Sequence, residues 1–190
     1  MSEEKKEERS EDLSDSLLET RSLIISSAVD SKLADRCMKH ILLLEQKDPE
    51  QEIRVFINSP GGEIYSGLAI FDLLKFVSCP VTTIVSGLAA SMGSILSLCG
   101  DDGRRFALPN SKIMIHQPSL TGAQGSITDL ETHSKQILKT RDRLGQMYAD
   151  ITGKTLKKII KDMDRDNWMT AEDAKDYGLI DHIIAHRSEL

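Results

Sequence analysis

Four short segments of this chain carry side chains suited to acyl transfer. Ser91 stands in Gly87-Leu88-Ala89-Ala90-Ser91-Met92-Gly93, where a β-branched run ends and an apolar helix begins. Small residues on both sides permit a sharp turn, and a tight strand-to-helix turn is how a nucleophile elbow exposes its hydroxyl. The helix start adds free backbone N–H groups and partial positive charge. The spacing is not Gly-x-Ser-x-Gly, since Ala89 lies two before the serine, and a serine here also serves as a plain helix cap. His116 closes the apolar run Ile113-Met114-Ile115 and leads into Gln117-Pro118. An imidazole at a strand end either projects into a site or fills a structural position. Asn58-Ser59-Pro60-Gly61-Gly62 exposes N–H groups between a strand and a helix, suited to a phosphate or a developing oxyanion, or makes an ordinary turn. No Lys-Ser/Thr comes after it, so a P-loop is excluded. Asp162-Met163-Asp164-Arg165-Asp166 alternates three acids, any of which could orient a histidine, and spacing does not choose among them.

Strands and helices alternate around these segments. Leu23 to Ser26 reads as a strand. A helix capped by Asp30 or Ser31 reaches about Gln46, with Leu33, Cys37, Ile41 and Leu44 at helical spacing. Strands are expected around Ile53–Ile57, Val81–Val85, Arg105–Leu108, Lys112–Ile115 and Leu179–Ile184. Helices are expected over 63–76, 91–99, 127–151, 155–163 and 171–177. The last has Thr170 as cap with Asp173 three residues on, and Gly178 as its stop. Repeated strand–helix units predict an α/β fold with substantial parallel pairing. In the long helix, Leu130, Ile137, Leu144 and Ile151 recur at intervals of seven, a seam for a partner helix or for the parent domain.

The 190 residues fit one domain better than two. Thirty acids against 24 bases give a net charge of -6, which disfavours a nucleic-acid binder. Apolar runs are far shorter than the ~20 residues that cross a bilayer, and no apolar stretch comes after Met1 as in a secretory signal. Cys37, Cys79 and Cys99 contain no Cys-x-x-Cys and read as reduced, buried thiols. With no secretory signal, they point to a cytoplasmic protein. No metal spacing occurs among the histidines. Residues 1–16 hold seven acids and three bases, a net of -4 that leaves -2 for the rest. That segment reads as an acidic, disordered tail before a domain at 17–190. Nine of the twelve glycines fall between Gly61 and Gly125, where the backbone needs unusual angles.

Five motifs occur in order and at fitting distances: Ile57-Asn58-Ser59-Pro60-Gly61-Gly62, Ala89-Ala90-Ser91-Met92-Gly93, Arg105-Phe106-Ala107-Leu108-Pro109-Asn110-Ser111, Met114-Ile115-His116-Gln117-Pro118 and Asp164-Arg165-Asp166. From about Leu17 to Arg187 the chain resembles the ClpP family, the proteolytic subunits of Clp proteases. The resemblance implies a crotonase-like ββα superhelix with a protruding handle helix at 127–151. It implies Ser91 as nucleophile, His116 as general base and Asp166 as the orienting acid, a choice the spacing left open. It implies an oxyanion hole from the backbone N–H groups of Gly62 and Met92, and no cofactor or metal. It further implies two stacked heptameric rings and an AAA+ unfoldase ATPase that feeds in unfolded polypeptides. Phe56, Phe76 and Phe106 match aromatic positions of the ATPase-docking pocket, and Asp164 and Arg165 match a ring-interface pair.

Two departures accompany the likeness. Arg54 stands where an aromatic is common, and residues 1–16 replace the family's axial segment. The second departure motivates an alternative, a weakly active structural or regulatory paralogue working in mixed rings. A third reading, an acyl-CoA enzyme on the related crotonase fold, rests on the paired oxyanion donors. The intact Ser, His and Asp set argues against it.

Overall fold

Local signals set the first helix as the sequence predicts. In a computed structural model describing residues 17–119 and 125–190, Asp30 Oδ1 accepts the Leu33 N–H at 2.8 Å and caps α1, Ser31–Lys47. Its buried stripe is Leu33, Ala34, Cys37, Ile41 and Leu44. β1 (Ser22–Ile25) precedes it; β2 (Ile53–Ser59), α2 (Ile64–Phe76), β3 (Val81–Ala90) and α3 (Met92–Ser97) come after it. Then come β4 (Arg105–Ala107), β5 (Lys112–Ile115), α4 (Ile127–Thr152), α5 (Leu156–Asp162), β6 (Asn167–Thr170), α6 (Ala171–Tyr177) and β7 (His182–Ile183). The acidic tail expected over residues 1–16 lies outside the described residues.

The expected α/β fold is present, with a mostly parallel sheet in the order β1-β2-β3-β4-β7. β5 adds in parallel to the far end of β3, and β6 runs antiparallel to β5. Strand alternation divides the sheet into two faces. Leu23, Ile25, Ile53, Val55, Ile57, Val81 and Val85 form the core face and join the α1 stripe in one cluster. The opposite face carries Ile24, Phe56, Ile84, Phe106 and His182, which are register partners across five strands. Ile24 is 40% exposed on that face.

Two sequence expectations need correction. Asn167–Thr170 is a strand, β6, which is not among the strands expected from the sequence. Four residues with one buried position give too little alternation to announce a strand. Conversely, the strand expected over 179–184 is only His182–Ile183, with the Asp181 and Ile184 N–H groups donating to the Arg105 and Ala107 carbonyls at its ends; Leu179 and Ile180 are buried as loop residues. The α6 cap is as expected, with Thr170 and Asp173 in a reciprocal box and Gly178 left-handed at φ 95°.

Two buried arginines tie the layers. Arg21 is at φ 54° and is 6% exposed. Its guanidinium donates to the carbonyls of Leu44, Asp48, Gln51 and Glu52, which closes the C-terminal end of α1 onto β2. Arg105 on β4 forms a bidentate pair with Asp181 before β7, and the Arg105 N–H also donates to Asp181 Oδ2 at 2.9 Å. Desolvation alone would raise the Asp181 carboxyl. The Arg105 hydrogen bonds and charge outweigh it and hold the carboxyl below its ordinary value. Breaking a buried pair strands the remaining charge. Asp181→Ala is therefore expected to destabilise the chain by about 3–5 kcal/mol in urea unfolding. Because the folded-state value is depressed, the pair's contribution is present above the unfolded carboxylate pKa and fades as pH falls through the folded one. The destabilisation should shrink accordingly in acid.

All three cysteines are buried and free, as the sequence suggests. Burial pushes the Cys37 thiol up to about 11, which keeps it protonated and inert at neutral pH.

Candidate active site

Three strand ends converge on one cleft. β3 pairs with β2 from Ile53↔Val81 to Ile57↔Val85, and then the register slips so that Ser59 faces Ala89. Ser86, Gly87 and Leu88 take up the slip as a bulge, with Gly87 at φ 119°. A Cβ on Gly87 would sit 2.8 Å from Asn58 Oδ1, the atom that accepts the Leu88 N–H. Bulges bend a strand and re-aim the residues beyond the bend. Here the last residues of β3 turn onto β5, with Ala90 opposite Met114.

Ser91 comes directly after Ala90, at φ 55° and ψ -122°. A non-glycine residue at positive φ is uncommon and needs its surroundings to hold it. Its N–H donates to the Met114 carbonyl at 3.0 Å, and its own carbonyl accepts the Ser94 N–H at 3.0 Å. Its side chain accepts no capping hydrogen bond, so the plain helix-cap reading does not hold. The hydroxyl instead lies 2.9 Å from His116 Nε2.

The strand missed from the sequence explains the third member. β5 and β6 pair antiparallel with Ile115 opposite Asn167. One step further along that ladder sets His116 opposite Asp166. Asp166 Oδ1 lies 3.1 Å from His116 Nδ1. Of the three alternating acids, Asp162 bonds Lys158 and Tyr177, and Asp164 Oδ1 lies 3.4 Å from the Gln117 amide nitrogen. With Asp166 on Nδ1, the imidazole carries its proton there and presents a bare Nε2 to the hydroxyl.

The glycine segment abuts the serine. Gly61 at φ 89° approaches so closely that a Cβ would lie 2.6 Å from the Ala90 carbonyl oxygen and 2.8 Å from the Met92 nitrogen. Gly62 bridges Val29, and a Cβ there would meet the Val29 carbonyl at 2.2 Å. As the first residue of α3, Met92 has an N–H with no acceptor within its helix. Gly62 and Met92 both line a cavity of about 220 Å³ together with Ser91 and His116. Its apolar wall is Ile64, Ile95, Met114, Leu144 and Tyr148. Such a constellation can deprotonate a hydroxyl as it attacks a carbonyl, with N–H donors beside the oxygen that becomes negative.

The remaining residues singled out from the sequence fall elsewhere. Phe56 and Phe106 share the register row on the open sheet face, with Ile84 between them and His182 stacked 5.5 Å from Phe106. Phe76 ends α2, outside that row, and is 78% exposed. Arg54 lies beside Phe56, its Nε on Glu52 at 2.7 Å, while Arg104 and Thr82 bind the other Glu52 oxygen. Partial burial would raise the Glu52 carboxyl, but these bonds and the two arginine charges together hold it below the ordinary value. Asp164 and Arg165 border the cleft beside Asp166, exposed and only loosely paired at 3.9 Å. The seven-residue seam divides as well. Leu144 is buried and Ile151 packs on the core, whereas Leu130 is 39% exposed on the projecting half of α4. Among the described residues there is no cluster of potential metal ligands, and no helix is long and apolar enough to cross a membrane.

In a comparison with protein families, the sequence model of one family, Clp protease, matches residues 5–187. The match starts within the acidic leading segment and ends near the C-terminus.

Proposed function

The chain belongs to the Clp protease family, and from that premise we propose that it is a serine endopeptidase working through Ser91, His116 and Asp166. The observation that carries this reading is the Ser91 hydroxyl, held at positive φ and 2.9 Å from a histidine that is itself 3.1 Å from a carboxylate. His116 takes the hydroxyl proton as Ser91 Oγ attacks a peptide carbonyl. The C–N bond breaks as the same proton passes to the departing amine. Water, deprotonated by His116, then releases the acyl group from Ser91. Asp166 keeps the imidazole tautomer and stabilises the imidazolium. The Gly62 and Met92 N–H groups stabilise the oxyanion, a contribution of about 10²–10³ in rate per donor. No step calls for a metal or cofactor. The hydroxyl set against an imidazole favours this reading over the crotonase-type acyl-CoA alternative, which rests on paired oxyanion donors without a serine nucleophile. Thioester binding by calorimetry would revive that alternative.

In this reading the chain is the proteolytic subunit of ring assemblies, homomeric or mixed with a paralogue. A partner AAA+ unfoldase delivers unfolded chains, docking at Phe56, Phe76 and Phe106, and rings contact through Asp164 and Arg165. The exposed half of α4 supports the handle role, because a projecting helix with Ile127, Leu130 and Leu138 uncovered needs an apolar partner.

Hydrolysis of short fluorogenic peptides by the purified, assembled chain tests the proposal. Because the cavity wall beside Ser91 is apolar, a leucine or methionine before the scissile bond should be cleaved at least about tenfold faster than an aspartate. Absence of turnover by fully assembled rings would contradict the peptidase reading. Equal rates for leucine and aspartate would contradict the assignment of the cavity.

A further inference from the structure

Ser91 holds a backbone conformation that side chains rarely adopt, so something must fix its ψ as well as its φ. The N–H bond to Met114 restrains one side. On the other, the Ser91 carbonyl accepts three donors: the N–H of Ser94 at 3.0 Å, the N–H of Ile95 at 3.3 Å and the Ser94 hydroxyl at 2.7 Å. The third does not belong to a regular helix start. Ser94 is fully buried, and its Oγ also lies 2.5 Å from the Tyr148 hydroxyl.

Valence sets the proton order. A carbonyl only accepts, so the single Ser94 hydroxyl proton goes to Ser91, and Tyr148 must donate to Ser94. Tyr148 is 2% exposed, and its place on α4 puts it on the half of that helix packed into the body. Burial drives its phenol well above the ordinary value, consistent with a permanent donor. Neither hydroxyl takes part in the proton transfers between Ser91, His116 and the substrate.

We propose that Tyr148 and Ser94 are positioning residues that hold Ser91 in its reactive conformation through a two-bond relay from α4 to the Ser91 carbonyl. The inference rests on Ser91 being the nucleophile. It gives α4 a second task besides its projecting half: its buried half sets the geometry of the attacking residue. The relay acts on the position of Oγ and not on the imidazole, so it changes how often Oγ is aligned without changing when His116 is deprotonated.

The test is the second-order rate of labelling by a small fluorophosphonate across pH, on wild type, Ser94→Ala, Tyr148→Phe and the double variant, each confirmed assembled by native mass spectrometry. Ser94→Ala deletes one oxygen and favours the helix; Tyr148→Phe keeps the ring in the cavity wall. Ser94→Ala is expected to lower the plateau rate about three- to tenfold, with the acid limb of the profile unmoved. Tyr148→Phe should cause a smaller loss alone and no further loss in the Ser94→Ala background, since the relay is already cut there. A merely structural role would instead lower the assembled fraction or add independently in the double variant. If wild type labels but Ser94→Ala matches it within twofold, or the two losses multiply, the relay is wrong. If assembled wild type does not label at all, the assignment of Ser91 fails and the relay with it.

Discussion

Ser91→Ala is expected to lower peptide hydrolysis by about 10⁴–10⁶-fold while leaving fold and assembly unchanged. Among the described residues, the hydrogen bond of the serine hydroxyl is to His116 Nε2, and the backbone bonds that hold the elbow do not involve it. Deleting the oxygen therefore removes the chemistry without touching the structure. His116→Ala should lose nearly as much, because nucleophile and base act as a unit and their losses do not multiply. Initial rates on a fluorogenic peptide, with native mass spectra of each variant, measure both. A Ser91→Ala enzyme retaining more than a hundredth of wild-type turnover would sink the nucleophile assignment.

The second large effect is expected at Gly61. A Cβ there lands 2.6 Å from the Ala90 oxygen, 2.7 Å from Ser91 Cβ and 2.8 Å from the Met92 nitrogen. None of these is the free end of a flexible side chain, so either the elbow or the glycine segment must move. The φ of 89° adds strain for any side chain. Gly61→Ala should cost about 10²-fold or more in kcat, through displacement of the nucleophile and of an oxyanion donor together. Gly103 supplies the control. It also has positive φ, 76°, but nothing lies within 4 Å of its Cβ position. Gly103→Ala should show a modest loss of Tm, from strain alone, and wild-type kcat. Similar kcat values for the two variants would show that close approach at Gly61 does not build the site.

Much of this arrangement is legible in the residues, and the parts that are not have identifiable causes. Helix caps depend on a side chain and an amide three residues away, so Asp30 and the Thr170–Asp173 box read directly. Ser91 and His116 each stand at a switch from one period to another, which flags them even where their partners are unknown. The orienting acid is different. Choosing Asp166 over Asp162 or Asp164 requires the β5–β6 register, a long-range pairing between a strand at 112–115 and one at 167–170. Four residues of β6 give no usable alternation, so the residues alone left the acid open and only the family likeness chose it. The Tyr148–Ser94 contact, 54 residues apart, is invisible for the same reason. The buried guanidinium of Arg21 is equally silent in sequence, because an arginine after a polar stretch looks solvated. Its role appears only when four carbonyls from the ends of α1 and β2 are brought around it.

The Ser91 hydroxyl is proposed as a nucleophile activated by His116. The most direct measurement is intact-mass analysis of the purified, assembled chain after a fluorophosphonate, with peptide mapping of the adduct. One adduct per chain, located on Ser91 and lost in both Ser91→Ala and His116→Ala, is the predicted result. An assembled wild-type chain without an adduct, or one modified at a different serine, would contradict it.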